Sequence, residues 1–233
     1  MLLNQKLSAR VLIKNFVKGR VSQSQLDRLL LTLPQLYPLL RYESQLSGDQ
    51  IAVLRGILEK GVPGNIIECG VYRGGTTALM GLYLKEHRIP KKIYALDSFS
   101  GFKRDGIEEE VRRGLVVAQG LSAFTANSAE YVQRKIEKLG LRDMIEIVPG
   151  YFEESLDKIR DFFSLALIDC DLEKSTEFCL TTLWDRVVQG GCIIVDDYAN
   201  PGYPGARIAA DRFLKHVVCK QKQVQHNFLV IEK

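Results

Sequence analysis

The chain has 233 residues, of which 46% are hydrophobic and 26% are charged, and its formal net charge is +4. This length fits one globular domain with a short additional segment. So small a net charge does not indicate a nucleic-acid-binding protein, in which basic residues cluster on one face, and we predict no nucleic-acid partner.

Residues 1–60 are predicted to be helical and to form an N-terminal extension. Apolar side chains recur there at helical spacing, first at Leu26, Leu29, Leu30 and Leu33, and again at Ile51, Leu54 and Leu58. The basic start has no apolar run as long as a signal peptide or an integral membrane segment requires, so neither is expected. We predict that the extension is a lid or a homodimer contact. A helix on a membrane surface is the alternative.

Residues 61–233 are predicted to form an open, doubly wound α/β domain. Five short runs rich in Ile, Val and Leu are each followed by a segment that can form a helix, a pattern typical of a parallel sheet covered on both faces. The runs are Asn65–Gly70, Lys92–Asp97, Met144–Gly150, Leu165–Asp171 and Cys192–Asp197. A final hairpin is predicted from Gln223–Gln225 and Phe228–Glu232.

The five cysteines do not indicate a zinc site or a disulfide framework. They include no Cys-x-x-Cys pair, their number is odd, and several lie inside apolar runs; they are Cys69, Cys170, Cys179, Cys192 and Cys219. Buried, reduced thiols are the better interpretation. They predict a reducing compartment, and therefore a cytoplasmic protein.

The first apolar run leads into a glycine-rich loop, IIECGVYRGGTTALM, at Ile66–Met80. It differs from the dinucleotide fingerprint G-x-G-x-x-G, because Tyr72 stands where the second glycine belongs. The ring of Tyr72 would block close approach of a pyrophosphate, and the carboxylate of Glu68 would repel it. A nicotinamide-dependent oxidoreductase is therefore a weak alternative, and we find no convincing proton donor for that chemistry.

S-adenosylmethionine suits this loop better, because it carries an ammonium group and no phosphate. Glu68 would pair with the ammonium, and Gly70 and Gly74 would let the backbone come close to the ligand. The helix that begins near Gly75 would offer N–H groups to the carboxylate of the ligand. Asp97, at the end of the second run, is placed to accept both ribose hydroxyls, as an acid does in dinucleotide folds.

A second group of acids follows the fourth and fifth runs. Asp169, Asp196 and Asp197 would converge at the carboxyl ends of neighbouring strands. Acids at strand ends also cap helices, but capping does not require the doubled Asp196-Asp197. Three carboxylates without Cys or His suit a hard cation, magnesium or calcium. Such an ion beside a methyl donor would orient a substrate hydroxyl and lower its pKa.

These residues together resemble the macrocin O-methyltransferase family, whose members use magnesium and S-adenosylmethionine to methylate sugar hydroxyls of macrolide antibiotics. The resemblance runs from about Gly61 to Tyr198. It is carried by five collinear stretches: GVPGNIIECGVYRGG, ALDSFSGF, PGYFEESL, LALIDCDLEKSTEFCL and GGCIIVDDY. It implies a mostly parallel, seven-stranded class I methyltransferase (Rossmann-like) sheet with one antiparallel strand near the C-terminus.

The resemblance also implies roles for individual residues. The methionine part and ribose of the cofactor would be held by Glu68, Gly70, Tyr72, Gly74, Gly75, Thr76, Asp97, Ser98 and Phe99. The adenine would lie near Ser128, Gly150, Tyr151 and Phe152. Asp169, Asp196 and Asp197 match the magnesium ligands. Asp169 would also contact the cofactor and is the best candidate for the general base.

The sequence departs from the family pattern at two places. The family usually has Asp-Gly-Asp where this chain has Asp169-Cys170-Asp171. The connection 103–121 also does not match well, and because loops there would cover the substrate, the acceptor is expected to differ from a macrolide sugar. The turn Tyr198–Gly205 is either a stiff turn or a substrate wall built from Tyr198 and Tyr203. We predict magnesium-dependent methylation of a hydroxyl on a sugar or polyol-bearing small molecule; a non-catalytic cofactor-binding module is the alternative.

Overall fold

The computed structural model describes residues 44–117, 120, 122–125 and 127–233. The helical pattern predicted at Leu26–Leu33 lies outside the described residues, as does the rest of 1–43. The predicted lid, dimer or membrane-surface role of residues 1–60 therefore stays a prediction. Within the described residues, no helix has the length and apolar character that a membrane span requires.

Seven strands form one sheet in the order β3-β2-β1-β4-β5-β7-β6. They are β1 (Asn65–Cys69), β2 (Ile93–Asp97), β3 (Ile145–Pro149), β4 (Phe163–Ile168), β5 (Val187–Val195), β6 (Gln221–Gln225) and β7 (Phe228–Glu232). Strands β1 to β5 pair in parallel, whereas β7 runs antiparallel to both β5 and β6. This confirms the five predicted strands, the final hairpin and the class I methyltransferase sheet.

One strand is longer than its apolar run predicted. β5 begins at Val187, before the predicted start at Cys192, and its pairing with β4 is irregular between the two positions. Polar and small residues, Gln189, Gly190 and Gly191, separate the two apolar parts of this strand. The sequence pattern therefore showed only the second half.

Seven α-helices are described, and they cover both faces of the sheet. They are α1 (Gly48–Glu59), α2 (Gly75–Glu86), α3 (Arg104–Arg112), α4 (Ala129–Lys138), α5 (Phe152–Ser155), α6 (Glu173–Trp184) and α7 (Pro204–Phe213). Consecutive residues of β1 point to opposite faces, as the period of a strand requires. Ile66 packs with residues of α1, α2 and α4, while Ile67 packs with residues of α6 and α7, and both side chains are fully buried.

The strand order places the predicted acids together. It reverses between β1 and β4, and in open α/β sheets ligands bind beyond the carboxyl ends of the strands at such a switch point. Glu68 and Asp97 lie within the last two residues of β1 and β2, and Asp169 and Asp196 directly follow β4 and β5. The four acids therefore lie along one edge of four adjacent strands.

Candidate active site

A cavity of about 340 Å³ opens at the carboxyl ends of β1, β2, β4 and β5. Most of the predicted site residues line it. They are Glu68, Gly70, Tyr72, Thr76, Asp97, Ser98, Tyr151, Phe152, Asp169, Asp196 and Asp197. The two predicted groups, one for a cofactor and one for a metal ion, thus share one space.

Gly70 stands where β1 and β4 come closest at the cavity. Its φ is +97°, and a Cβ atom added there would lie 1.8 Å from the backbone oxygen of Asp169. No other residue fits this contact, because any side chain would overlap the neighbouring strand end. The glycine therefore brings the glycine-rich loop of residues 66–80 (the cofactor loop) directly against Asp169, the first residue after β4.

Asp97 holds the loop in place. Its Oδ2 accepts hydrogen bonds from the backbone N–H groups of Val71 at 2.9 Å and Tyr72 at 2.7 Å. Its Oδ1 accepts one from the N–H of Phe99 at 2.7 Å. Tyr72 has a φ of +48°, a left-handed conformation that is uncommon for a tyrosine. The carboxylate thus fixes the strained turn and still faces the cavity, where ribose hydroxyls could reach it.

Glu68 is a buried acid that hydrogen-bonds the side chain of Thr77. Only 2% of its surface is exposed, and its Oε2 accepts a hydrogen bond from the hydroxyl of Thr77. Burial raises the pKa of Glu68 to about 8; the Thr77 hydrogen bond acts to lower it and the nearby Asp97 carboxylate to raise it. In the cofactor-free protein Glu68 therefore keeps its proton near neutral pH, and a cation placed beside it would release that proton.

The acid cluster differs in one member from the predicted triad. Asp169, Asp171 and Asp197 each offer an oxygen such that all three atoms lie within 4.8 Å of one another. Burial raises the pKa of Asp169 and Asp171 well above the usual range; the Asp196 charge adds to the shift at Asp169, and the neighbouring Asp197 carboxylate adds to that at Asp171. Asp171 thus joins the cluster in place of Asp196.

Asp196 lines the same cavity but has other partners. Its Oδ1 accepts hydrogen bonds from Gln50 Nε2 at 3.1 Å and from the backbone N–H of Asp197 at 2.7 Å. Asp197 has a φ of +57°, which turns the chain sharply between the two acids. The two neighbouring side chains therefore take different directions. Burial, then the Asp197 charge, raises the pKa of Asp196 to about 7.

The residues present fit a divalent cation. All the atoms that the cluster offers to a metal ion are carboxylate oxygens, the ligands that magnesium prefers. The three oxygens lie within 4.8 Å of one another, and neighbouring anions at this distance repel unless a cation or a proton lies between them. A divalent cation between the carboxylates would remove this repulsion.

Five of the predicted cofactor residues do not line the cavity: Gly74, Gly75, Phe99, Ser128 and Gly150. Ser128 is instead the N-cap of α4, where its Oγ accepts a hydrogen bond from the N–H of Tyr131 at 3.1 Å. Gly74 caps α2 and packs on Val132, and Phe99 packs against the core. Gly150 donates its N–H to the backbone oxygen of Asp97. They shape the elements around the cavity and are not brought to its surface.

An aromatic wall faces the acid cluster and was only partly predicted. Its ring centroids follow one another at 5.4 Å from Tyr72 to Phe124, 5.2 Å from Phe124 to Phe102 and 5.9 Å from Phe102 to Tyr203. All four rings line the cavity. Of the two tyrosines in the turn after the acid pair, Tyr203 belongs to this wall, whereas Tyr198 donates a hydrogen bond to Asp211.

Of the four amide side chains that line the cavity, three hydrogen-bond the acid pair, and the sequence analysis missed them: Gln50, Asn200 and Asn227. Gln50 lies in the capping box of α1, and Asn227 lies in the turn between β6 and β7. The Asn200 position follows the acid pair closely, which was the one available signal. The other two are distant along the chain, and their local sequence indicates only a helix start and a hairpin turn.

A model of the macrocin O-methyltransferase (TylF) family matches residues 48–227. A tetracenomycin-C derivative 4'-O-methyltransferase of Streptomyces olivaceus is 31% identical over 146 residues, which cover 61% of this chain and 56% of that protein. Demethyldecarbamoylnovobiocin O-methyltransferase of Streptomyces niveus is 32% identical over 145 residues, which cover 61% and 55%. These alignments span little more than half the length of either relative.

Solved structures agree with this fold. The O-methyltransferase NovP superposes with a TM-score of 0.66 at 25% identity, over 79% of each chain. CalS11, a calicheamicin methyltransferase, superposes with a TM-score of 0.69 over 97% of this chain and 91% of its own. Its identity of 18% supports the shared fold alone.

Proposed function

The chain belongs to the macrocin O-methyltransferase family, and from that membership we propose that it transfers a methyl group from S-adenosylmethionine to a hydroxyl of a sugar or polyol-bearing small molecule, with magnesium. The observation that carries this proposal is the shared cavity. Gly70 brings the cofactor loop into contact with Asp169, so a methyl donor on one side would lie beside the acid cluster on the other.

On the cofactor side, three residues have the chemistry that S-adenosylmethionine needs. This cofactor supplies a methyl group on a sulfonium, which is already a good leaving group. Glu68 would provide the negative charge opposite its ammonium, and Asp97 would accept hydrogen bonds from its ribose hydroxyls. The ring of Tyr151 lines the same cavity and would stack on the adenine.

On the acceptor side, the carboxylates would hold both an ion and a proton. Asp169, Asp171 and Asp197 would hold magnesium, which supplies a positive charge that lowers the pKa of a substrate hydroxyl. Asp169 would accept the hydroxyl proton, because its backbone and Cβ atom contact Gly70 of the cofactor loop. The aromatic wall would exclude water and pack on the apolar face of the acceptor, as aromatic rings do with sugars.

The nicotinamide alternative has no support from this geometry. Tyr72 occupies the loop position where a pyrophosphate would need a glycine, and Glu68 is a buried acid at the same loop. Neither group obstructs a cofactor that lacks phosphate and carries an ammonium.

Calorimetric titration with S-adenosylhomocysteine, with and without magnesium and with NAD as control, tests the cofactor. Methyl transfer from labelled S-adenosylmethionine to a panel of polyol glycosides, with and without a chelator, tests the reaction. We expect binding of S-adenosylhomocysteine, no binding of NAD, and turnover that the chelator abolishes. Binding of NAD alone would refute the cofactor assignment, and undiminished turnover in chelator would refute the role of magnesium.

Affinity for S-adenosylhomocysteine is expected to rise between about pH 6 and pH 8, by up to about tenfold per pH unit. The raised pKa of Glu68 means that the cofactor-free protein binds a proton in this range, and pairing with the ammonium would release it. Besides the ligand, Glu68 faces the Thr77 hydroxyl and the Asp97 carboxylate. Calorimetry in two buffers of different ionisation enthalpy measures the released proton directly.

Two variants isolate the contribution of Glu68 to this pH dependence. Glu68→Gln should remove most of it, while Glu154→Gln, an exposed acid on α5, should retain it. An unchanged pH dependence in Glu68→Gln would assign the proton to another group.

A further inference from the structure

Two amide side chains hold one oxygen of Asp197. Asn200 Nδ2 and Asn227 Nδ2 each donate a hydrogen bond to Asp197 Oδ1, both at 2.9 Å. Asn200 lies in the turn before α7, and Asn227 arrives from the β6–β7 turn, 30 residues away along the chain. One carboxylate oxygen thus receives two donors from separate segments.

The backbone fixes the orientation of both amides. Asn227 Oδ1 accepts the N–H of Ala199 at 3.1 Å, and Asn200 Oδ1 accepts the N–H of Gly202 at 2.9 Å. Because an N–H group can only donate, each amide must present its oxygen to the backbone and its nitrogen to Asp197. Each amide therefore acts as a donor toward this carboxylate.

Two donors on Oδ1 change what Asp197 can offer. The two amide donors satisfy the lone pairs of the oxygen that they contact. The other oxygen, Oδ2, is then the one available to the cluster with Asp169 and Asp171. Asp197 is thereby prepared to bind an ion through a single oxygen in a fixed direction.

We propose that Asn227 is a positioning residue for the cation site, which orients Asp197 from the C-terminal hairpin and raises the affinity of the site for magnesium. This inference rests on the proposed function. It adds Asn227, which hydrogen-bonds Asp197 and the backbone of Ala199, and it gives the β6–β7 hairpin a part in the site.

The turn itself offers a competing explanation for the asparagine. His226 has a φ of +47° and Asn227 a φ of +78°, and two-residue hairpin turns with both residues in the left-handed region favour Asn and Gly. A glycine would therefore serve the backbone at least as well as asparagine. The two hydrogen bonds of the amide, one from the N–H of Ala199 and one to Asp197, distinguish asparagine from glycine at this position, and only the second reaches the acid cluster.

Magnesium titration of the full chain, saturated with S-adenosylhomocysteine, compares Asn227→Gly with the matched control His226→Gly. Both variants keep a turn residue that tolerates positive φ, and His226 points to Asp49 on α1 rather than into the cavity. We expect Asn227→Gly to weaken magnesium binding by about 10- to 100-fold and His226→Gly to leave it within about twofold. Affinity for S-adenosylhomocysteine should be the same in all three proteins.

The possible outcomes separate this inference from the proposed function. Equal magnesium affinity of wild type and Asn227→Gly would overturn the inference alone, and so would equal weakening by both glycine variants, since that would assign the effect to the turn. If the wild type binds S-adenosylhomocysteine but no magnesium, the metal in the proposed function fails and the inference fails with it. If Asn227→Gly does not fold, Asn200→Ala removes the second donor to the same oxygen, and unchanged magnesium affinity there would overturn the inference.

Discussion

Asp169→Asn is expected to lower methyl transfer by about 100- to 10,000-fold, the range that a positioned proton acceptor contributes. Asparagine keeps the shape of aspartate but neither accepts the hydroxyl proton nor carries charge for a cation. The Asp169 backbone oxygen beside Gly70 is unchanged, so the cofactor loop should keep its conformation. Single-turnover rates with labelled S-adenosylmethionine measure the loss of methyl transfer, and calorimetric affinity for S-adenosylhomocysteine shows whether cofactor binding is retained.

The same change should not destabilise the cofactor-free protein. The pKa of Asp169 is raised by burial and by the Asp196 charge, so its ionised form opposes folding above the ordinary carboxyl pKa. Thermal unfolding of Asp169→Asn near pH 7 should therefore occur at or above the wild-type temperature. Asp157→Asn, at an exposed position, is the control and should change neither rate nor stability. Retained turnover in Asp169→Asn would move the proton acceptor to another residue.

Gly70→Ala is expected to abolish cofactor binding and to reduce the free energy of unfolding by about 3 kcal/mol or more. The added methyl group would meet the backbone oxygen of Asp169 at 1.8 Å, and backbone cannot move aside as a flexible side chain can. The φ of +97° adds a further cost for any residue with a Cβ atom. Urea denaturation measures the stability, and calorimetry measures the loss of S-adenosylhomocysteine binding.

Gly56→Ala is a control variant that should change stability in the opposite direction. Gly56 lies within α1, and nothing lies within 4 Å of a Cβ atom added there. Alanine in an exposed helix interior is favoured over glycine by about 1 kcal/mol, so this variant should be slightly more stable than wild type. A Gly70→Ala protein that binds S-adenosylhomocysteine normally would mean that the strand ends can separate, and that their contact does not hold the loop.

The sequence alone predicted the sheet, the glycine-rich loop and the edge of the sheet at which the cavity lies. Buried strands produce continuous apolar runs, so β1 to β4 were predicted from the sequence. The predicted range of β5 was too short because glycines interrupt its apolar run. The carboxyl ends of parallel strands meet at one edge of the sheet, so the sequence predicts that Glu68, Asp97 and Asp169 lie close together. Five motifs in the same order indicated the family, because their order and spacing can be read directly from the sequence.

Only the tertiary structure decided which side chains meet. The direction of a side chain after a strand depends on the backbone conformation of a few residues. Because Asp197 has a left-handed backbone conformation, its side chain and that of Asp196 take different directions, although the two residues are adjacent. The partners of these acids come from remote segments: Gln50 is 146 residues from Asp196, and Asn227 is 30 residues from Asp197. Local patterns predict elements because burial repeats with the period of a strand or helix. Contacts between elements depend on register, turn geometry and packing, which no short stretch of sequence contains.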